Sequence, residues 1–422
     1  MPLSIQSIPR EVIDDTNADR LSDVIRFATG ANTGNAFGNT DDNFLFRGFS
    51  AQVVTDGIAS NALNPTLRQR DSVNLERVEV LRGPASALYG QGAPGGVINL
   101  VRKRPFDTAA ARFNTSVSSL IRLRQEADIN LPLSKAGEIN ARFVGAVECS
   151  DSFTLREFTG ALPENRVVLA PSLSFSPTPR TDVVIRAEYV RDASFFDRGI
   201  PIAEDGSFLT DIDLTFADTS VGATIMQSIL ANAEVTHSLS DAVSLRMVGG
   251  VDYKDFEGTQ SESSFLSPID VPASITALFG FSDPIVADNS ILRTLISRSF
   301  ENVNINLQVD ANLSFSTGPL DHQALISEEY AHANENDVLF SSDFLTDIDV
   351  TSITTPNLPG PLSENDLALV SDNETTTEAI GLIAFDKVSW GDRLHVLLGG
   401  RPVPLGSLRH RRRLIEGRGG VE

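Results

Sequence analysis

From about Ala109 to Gly400 apolar and polar residues alternate with a period of two, in runs of roughly ten positions. Ile139, Ala141, Phe143, Gly145 and Val147 form one such set, Val243, Leu245, Met247, Gly249 and Val251 another, and Ile305, Leu307, Val309, Ala311 and Leu313 a third. Period two is the repeat of a β-strand, so one face of each strand meets apolar surroundings and the other meets polar ones. The connections are unequal. Short links (Leu131–Glu138, Ser176–Asp182, Ser238–Val243, Thr317–His322, Ser389–Arg393) alternate with long ones (Ser150–Arg166, Arg191–Ala223, Asp255–Ser297, Ala331–Asn373). Tight turns at one end and long loops at the other, between strands of about ten residues, are the pattern of a transmembrane β-barrel wall. A compact soluble domain rarely carries several structureless loops of about 30 residues. About eleven strands are expected.

The first hundred residues have a different rhythm. Arg10 to Ala28 is predicted as one helix, with Val12, Leu21, Val24, Ile25 and Phe27 on a common face and Gly30 as its stop. Short apolar runs at Phe44–Phe46, Val53–Thr55, Val78–Leu81 and Val97–Val101, bounded by Gly, Asn, Asp or Pro, predict a small α+β unit. The last stretch, 401–422, carries six Arg against two Glu, and the strand alternation stops at Arg401. It is expected to be an out-of-frame basic tail. The division is therefore 1–108, 109–400 and 401–422.

Composition narrows the function classes. The 56 Asp and Glu against 34 Lys and Arg give a net charge of −22, which repels phosphates and argues against a nucleic-acid partner. Cys149 is the single cysteine, and the five histidines are scattered without zinc-like spacing, so no metal site and no cofactor are expected. No run approaches the 18 consecutive apolar residues of a membrane-crossing helix, and the N-terminus lacks the basic-then-apolar pattern of an export signal.

One ordered set of motifs adds to this. Phe44-Leu-Phe-Arg-Gly-Phe-Ser50, then Thr55-Asp-Gly57, then the stretch from Leu75 through Val80-Leu-Arg-Gly-Pro-Ala-Ser-Ala-Leu-Tyr-Gly-Gln-Gly-Ala-Pro-Gly-Gly96 to Pro105 resembles the plug of TonB-dependent receptors, most of all the iron–hydroxamate siderophore receptors. Ala170-Pro-Ser-Leu-Ser-Phe-Ser-Pro-Thr178, Asp197-Arg-Gly-Ile-Pro201 and Trp390-Gly-Asp-Arg-Leu-His395 follow in the family's order. The resemblance implies a plug domain followed by an antiparallel transmembrane β-barrel in the cell outer membrane, with about 11 of the roughly 22 strands of a plugged transporter present. It implies a transporter rather than an enzyme, without catalytic residues, importing a ferric siderophore with energy from the TonB–ExbB–ExbD complex. An energy-coupling box and an export signal are expected upstream of Pro2. Arg47 and Arg82 each precede a glycine after an apolar run, and a guanidinium in a largely buried turn needs a carboxylate. In the family the matching arginines latch the plug to acidic residues of the barrel wall; Glu76 and Glu79 are the local alternative. By position, Phe37, Asn64 and Arg68 lie in plug-apex loops and are the candidate ligand contacts, Arg68 because ferric chelates offer oxygen acceptors.

Other features point elsewhere or nowhere. Gly90-Gln-Gly92-Ala-Pro-Gly95 fits a dinucleotide fingerprint, but a strand-like Val97–Val101 follows where a helix should begin. Phe208-Leu-Thr-Asp-Ile-Asp-Leu214, Phe265-Leu-Ser-Pro-Ile-Asp-Val271 and Phe344-Leu-Thr-Asp-Ile-Asp-Val350 repeat within long loops; a recurring hairpin fits better than calcium ligation, since Pro268 replaces the first aspartate of the middle copy. Glu328 falls on the apolar face of its strand, an unfavourable place toward lipid. With Trp390 and only four tyrosines, phenylalanine must serve the membrane-interface belts. Two rival readings stay open, a truncated product that does not insert and an acidic surface-binding, adhesin-like protein.

Overall fold

Two β-sheets, one seated against the inner face of the other, make up the molecule. The computed structural model describes residues 4–34, 38, 40–59, 69–82, 95–118, 122–135, 137–151, 163–197, 221–266, 290–342, 345–349, 367–391, 394–401 and 405–412. The smaller unit contains β1 (Ser4–Pro9), α1 (Arg10–Asp15), α2 (Leu21–Ile25), β2 (Ala31–Thr33), β3 (Phe44–Phe46), β4 (Phe49–Thr55), β5 (Ile58–Ala59), β6 (Leu75–Arg82) and β7 (Gly96–Arg102). Its strands run in the order β1-β6-β7-β4-β3-β2, with β5 paired to β4. Leu21, Val24 and Ile25 of α2 pack with Val78, Val80 and Ile98 of the central strands to form its core.

The single helix expected over Arg10–Ala28 is two short ones. The chain breaks where the Thr16 amide closes on the Val12 carbonyl at 3.2 Å and Asn17 turns to φ 48°. Asn tolerates that left-handed conformation better than most residues, which ends α1 and lets α2 start on a new axis. The buried face changes accordingly, because Ile13 rather than Val12 enters the core and Phe27 stays exposed. The strand that undermines a nucleotide fingerprint is β7. A Cβ at Gly95 would stand 2.4 Å from the Phe49 carbonyl oxygen, and one at Gly96 2.3 Å from that of Leu81, so the glycines let β7 approach β4 and β6.

The larger sheet comprises β8 (Ala110–Ser118), β9 (Arg122–Pro132), β10 (Ile139–Asp151), β11 (Pro163–Thr178), β12 (Thr181–Ser194), β13 (Thr224–Ser238), β14 (Val243–Leu266), β15 (Ser290–Thr317), β16 (Leu320–Ser341), β17 (Leu345–Asp349), β18 (Ala368–Trp390), β19 (Leu394–Gly400) and β20 (Leu405–Arg412). Apart from the short β17 and from β20, these lie side by side as an antiparallel path from β8 to β19. The alternation read from the sequence is its two faces. Phe143, Leu169, Ile185, Ile229, Met247, Leu307 and Ile380 are large apolar residues exposed on the outer face. Val144, Ala146, Val168, Ala170 and Val190 point inward, where Val73 of the smaller unit packs on them. Apolar outside and covered inside is the arrangement of a wall that faces lipid.

Three details differ from the sequence reading. The strands on the β14–β18 side run far beyond ten residues, β15 reaching 28, so parts of the expected long loops are hairpin arms. Pairing does not stop at Arg401, because β20 continues along β18 beside β19. Pro402 and Pro404, which lack the N–H a ladder needs, fall between β19 and β20. The third copy of the loop motif supplies β17, which pairs with the start of β15, while the middle copy begins in the last two residues of β14. The first copy lies outside the described residues.

Candidate functional site: the interface between plug and wall

The polar positions between the outward apolar ones build the site. On the inner face, Arg124 of β9 stands in register with Glu148 of β10, Glu148 with Arg166 of β11, and Arg166 with Asp192 of β12. Neighbours in register on one face of a sheet lie close enough to interact, so alternating charge makes this row self-attracting. Into it the smaller unit inserts a charge of each sign. Arg124 grips Asp71 through two hydrogen bonds of 2.7 and 3.0 Å, and Arg20 reaches Glu148 at 2.8 Å. Arg122 joins Glu148 and Asp19, both at 2.7 Å, and Arg166 donates to the Gln69 carbonyl at 3.1 Å while pairing with Asp192. The side chains of Arg124 and Asp71 are 1 % and 3 % exposed, which removes solvent screening from the pair. A cavity of about 160 Å³ adjoins the cluster, lined by Arg20, Gln69, Glu148, Glu164, Arg166 and Asp192 among others; it is polar enough to hold ordered water.

Asp19, Arg20 and Asp71 are held by backbone. The Leu21 amide donates to the Arg70 carbonyl at 2.9 Å and the Ser72 amide to that of Asp19 at 3.0 Å, tying two distant segments into one docking element. Burial works to raise the Asp71 carboxyl, but the Arg124 charge and hydrogen bonds, with Arg20 and Arg166, outweigh it and hold it below the ordinary value of 3.8. At the β4–β5 turn Asp56 behaves alike, burial being overcome by Arg102 and Arg186. Asp42 is the exception. Its burial dominates over the neighbouring Arg70, and its carboxyl is pushed up.

The expected latch residues sit elsewhere. Arg47 occupies the β3–β4 turn at φ 53° and is exposed, so that turn is not the buried one its sequence context suggested. Arg82 closes β6 and donates to the Gln6 side chain, while its Nε is buried without a hydrogen-bond partner. Among the described residues neither makes an ion pair, and Glu79, the local alternative, is held by Arg77 and Asn99. Phe37, Asn64 and Arg68 lie outside the described residues. The cluster of Arg20, Asp71, Arg124 and Glu148 was not singled out from sequence. The only signal is that inward positions of strands near Arg124, Glu148 and Arg166 hold charge where the lumen would accept any polar residue.

A plug-like α+β unit docked by ion pairs inside an antiparallel wall with an apolar exterior defines a class, the plugged outer-membrane β-barrel. Residues 1–97 match the family model of the TonB-dependent receptor plug domain, and plug and wall together are similar to those of the receptors that follow. The metal-pseudopaline receptor CntO of Pseudomonas aeruginosa is 30 % identical over 404 residues, covering 95 % of this chain and 53 % of that protein. The ferrioxamine receptor of Yersinia enterocolitica is 29 % identical over 203 residues, 45 % of this chain and 27 % of its own length. Among solved structures, the ferric-catecholate import receptor Fiu of E. coli superposes with a TM-score of 0.78 at 17 % identity, over 98 % of this chain and 62 % of that one. The ferripyoverdine receptor of the Pseudomonas aeruginosa outer membrane gives 0.78 at 19 %, over 98 % and 52 %. The chain thus spans about half the length of the metal-pseudopaline receptor, 53 %.

Proposed function

We propose that this chain is the plug and the first part of the wall of a receptor that imports a ferric siderophore or a kindred metal chelate across the outer membrane, energised by the TonB–ExbB–ExbD complex. One observation carries the reading: a unit that matches the plug family over 1–97 fills the inner face of a sheet whose outer face is apolar. A plugged wall blocks passive flow, so passage requires plug displacement, which is work that an energising partner supplies. The proposed division is 1–108 for the plug and 109–400 for the wall. Phe37, Asn64 and Arg68 are proposed to touch the chelate at the plug apex. Arg47 and Arg82 are proposed as further latch residues toward wall carboxylates.

An adhesin-like reading finds no support in the buried docking of the plug. Uptake of radiolabelled ferric chelates by a receptor-deficient strain tests the proposal. Cells making this chain together with strands that complete the barrel should accumulate iron only when the TonB complex is intact. The chain made alone should stay at background, because β8 and β19–β20 are open edges whose N–H and C=O groups lipid cannot satisfy. Iron accumulation without the TonB complex would overturn the import reading.

A further inference from the structure

Two buried guanidiniums at the plug–wall interface share a single carboxylate. Arg102, the last residue of β7, holds Asp56 of the β4–β5 turn with Nε and Nη2 both 2.7 Å from Oδ2, and it donates to the Asn232 side chain on β13. Arg186 of β12 stands in register with Asn232 and comes only to 3.9 Å from the same Asp56 oxygen. Arg102, Arg186 and Asn232 are 3 %, 5 % and 5 % exposed. Arg102 Nη1, Arg186 Nε and Nη1 and Asn232 Nδ2 are all buried without a hydrogen-bond partner. A guanidinium has five donors and cannot shed its charge, so burying one that is so poorly matched is costly. The other carboxylates nearby are engaged elsewhere: Asp252 lies 3.6 Å from Lys254, Glu234 lies 2.9 Å from Arg246, and Glu188 accepts from Asn74 at 2.7 Å. A cavity of about 40 Å³ lies against Arg102 and Asn232, bordered also by Thr55, Ile58 and Asp252.

We propose that this cavity is a site for a small monovalent anion of the halide class, held by Arg102 of the plug and Asn232 of the wall and compensating Arg186 beside them. Charge, hydrogen bonding and size converge on that class. Arg102 and Arg186 against Asp56 leave one positive charge in excess, which a water molecule would solvate but not neutralise. The unpartnered atoms of the three side chains are all donors, so the missing group is an acceptor. Since about 10–15 Å³ suffices for one water, a cavity of about 40 Å³ takes a chloride-sized ion with a water and excludes a phosphate or a metal chelate. The ion joins the plug to β12 and β13 through a solute that neither unit supplies, so docking of the β4–β5 turn depends on halide. The site is independent of what the receptor imports.

Crystals of the full chain grown from detergent in bromide read occupancy directly, and anomalous scattering should place a bromide against Arg102 Nη1 and Asn232 Nδ2. In solution the reporters are the amides of Asp56 and Arg102, bonded to the Leu100 carbonyl at 2.9 Å and the Asp56 carboxylate at 3.0 Å. They should exchange more slowly in chloride than in gluconate at equal ionic strength, by about tenfold when the halide stands at about ten times its dissociation constant. The amides of Leu21 and Ser72, bonded to the Arg70 and Asp19 carbonyls, control for a general salt effect and should not respond. Arg186→Met keeps the apolar stem, removes the excess charge and should abolish the halide dependence. Asn232→Asp sets a fixed carboxylate beside both guanidiniums and should give slow exchange in gluconate and chloride alike. Water alone where bromide is expected, exchange of Asp56 and Arg102 indifferent to halide in the unmodified chain, or a halide effect that survives both substitutions would each overturn the proposal.

Discussion

Asp71 of the plug and Arg124 of the wall face each other through two nearly parallel hydrogen bonds, 2.7 and 3.0 Å long, with both side chains all but closed off from solvent. The remaining capacity of Arg124 is taken by Glu126 at 2.7 Å and Glu148 at 3.0 Å, and Asp71 also accepts from the Val73 amide at 2.9 Å. Forming such a pair gains little net free energy over an apolar contact, because two charges lose their hydration. Its effect is on register. A plug shifted by one residue along this wall would bury both charges without partners, so the pair fixes where the plug sits more than how tightly it is held.

Breaking the pair should therefore cost far more than its formation gains. Asp71→Asn leaves Arg124 buried with part of its compensation gone, a loss of about 3–5 kcal/mol for a buried ion pair cut on one side. Asp42→Asn is the instructive contrast. The Asp42 carboxyl is already pushed up by burial, so its ionised form is disfavoured in the fold. An amide oxygen there can still accept from the Arg70 amide, now bonded at 2.8 Å. Asp42→Asn should cost less than Asp71→Asn, because burial already works against the Asp42 carboxylate and the amide oxygen keeps its bond from the Arg70 amide. Urea midpoints of the two variants, followed by plug amide exchange, separate these outcomes, and equal losses would contradict the assigned difference.

The pH dependence follows in sign from the same groups. Asp71 is faced by Arg20 from the plug and by Arg124 and Arg166 from β9 and β11, and Glu148 of β10 shares Arg20 and Arg124 with it. Its carboxyl lies below the ordinary 3.8 in the fold, so the folded state binds the proton less well than the unfolded one. The stability it contributes is present in full above that ordinary value and is lost as pH falls through the lower folded value. Asp56 adds a term of the same sign. Through Asp71 and Asp56 docking should be lost only in strong acid, while Asp42, whose carboxyl is pushed up, acts with the opposite sign and favours docking as pH falls toward its folded value. A docking transition centred near pH 6 would point to a different controlling group.

Much of this was legible from the sequence. Period-two alternation assigned Phe143, Leu169, Met247 and Leu307 to one face because lipid selects every second residue without regard to partners. The plug strands followed from apolar runs bounded by turn residues. Two things were not legible. The break at Asn17 depends on one left-handed residue inside an otherwise helical pattern. The docking cluster depends on tertiary placement: Arg124 and Glu148 look like any lumen-facing polar residues until Asp71 and Arg20, far away in sequence, are brought against them. Arg47 illustrates the reverse error, since a tight turn was equated with a buried one.

The plug should fold without the wall. Its core, with Leu21, Val24, Val78, Val80 and Ile98 fully enclosed, is built from its own residues. Residues 1–108 made alone should be soluble and show protected amides in β6 and β7. Gly96→Ala should abolish that protection, because Gly96 has φ 140° and an added Cβ would meet the Leu81 carbonyl oxygen at 2.3 Å. Strain of roughly 1–3 kcal/mol for the backbone alone, before the clash, is severe for a unit of this size. An isolated 1–108 lacking any protected amide would move the boundary.

Two consecutive glutamates on β16 should respond oppositely to the same substitution. Glu328 points outward, exposed, in register with Val309 on one side and Leu382 on the other, both large apolar residues of the outer face. Glu329 points inward and holds Arg401 at 2.8 Å. A charged residue on the lipid face costs up to roughly 2–4 kcal/mol for Arg or Lys at mid-depth and less for Glu. Glu328→Leu should therefore stabilise the wall by about 1 kcal/mol and raise its urea midpoint in lipid vesicles. Glu329→Leu leaves the Arg401 guanidinium, which already has a buried Nε without a partner, short of its carboxylate. It should lower the midpoint by at least about 1 kcal/mol, as loss of a hydrogen bond to a charged group does. The comparison controls for the helix-versus-strand propensity of leucine, since both sites lie in one strand. If the two substitutions shift the midpoint in the same direction, the inner and outer faces of β16 have been assigned wrongly.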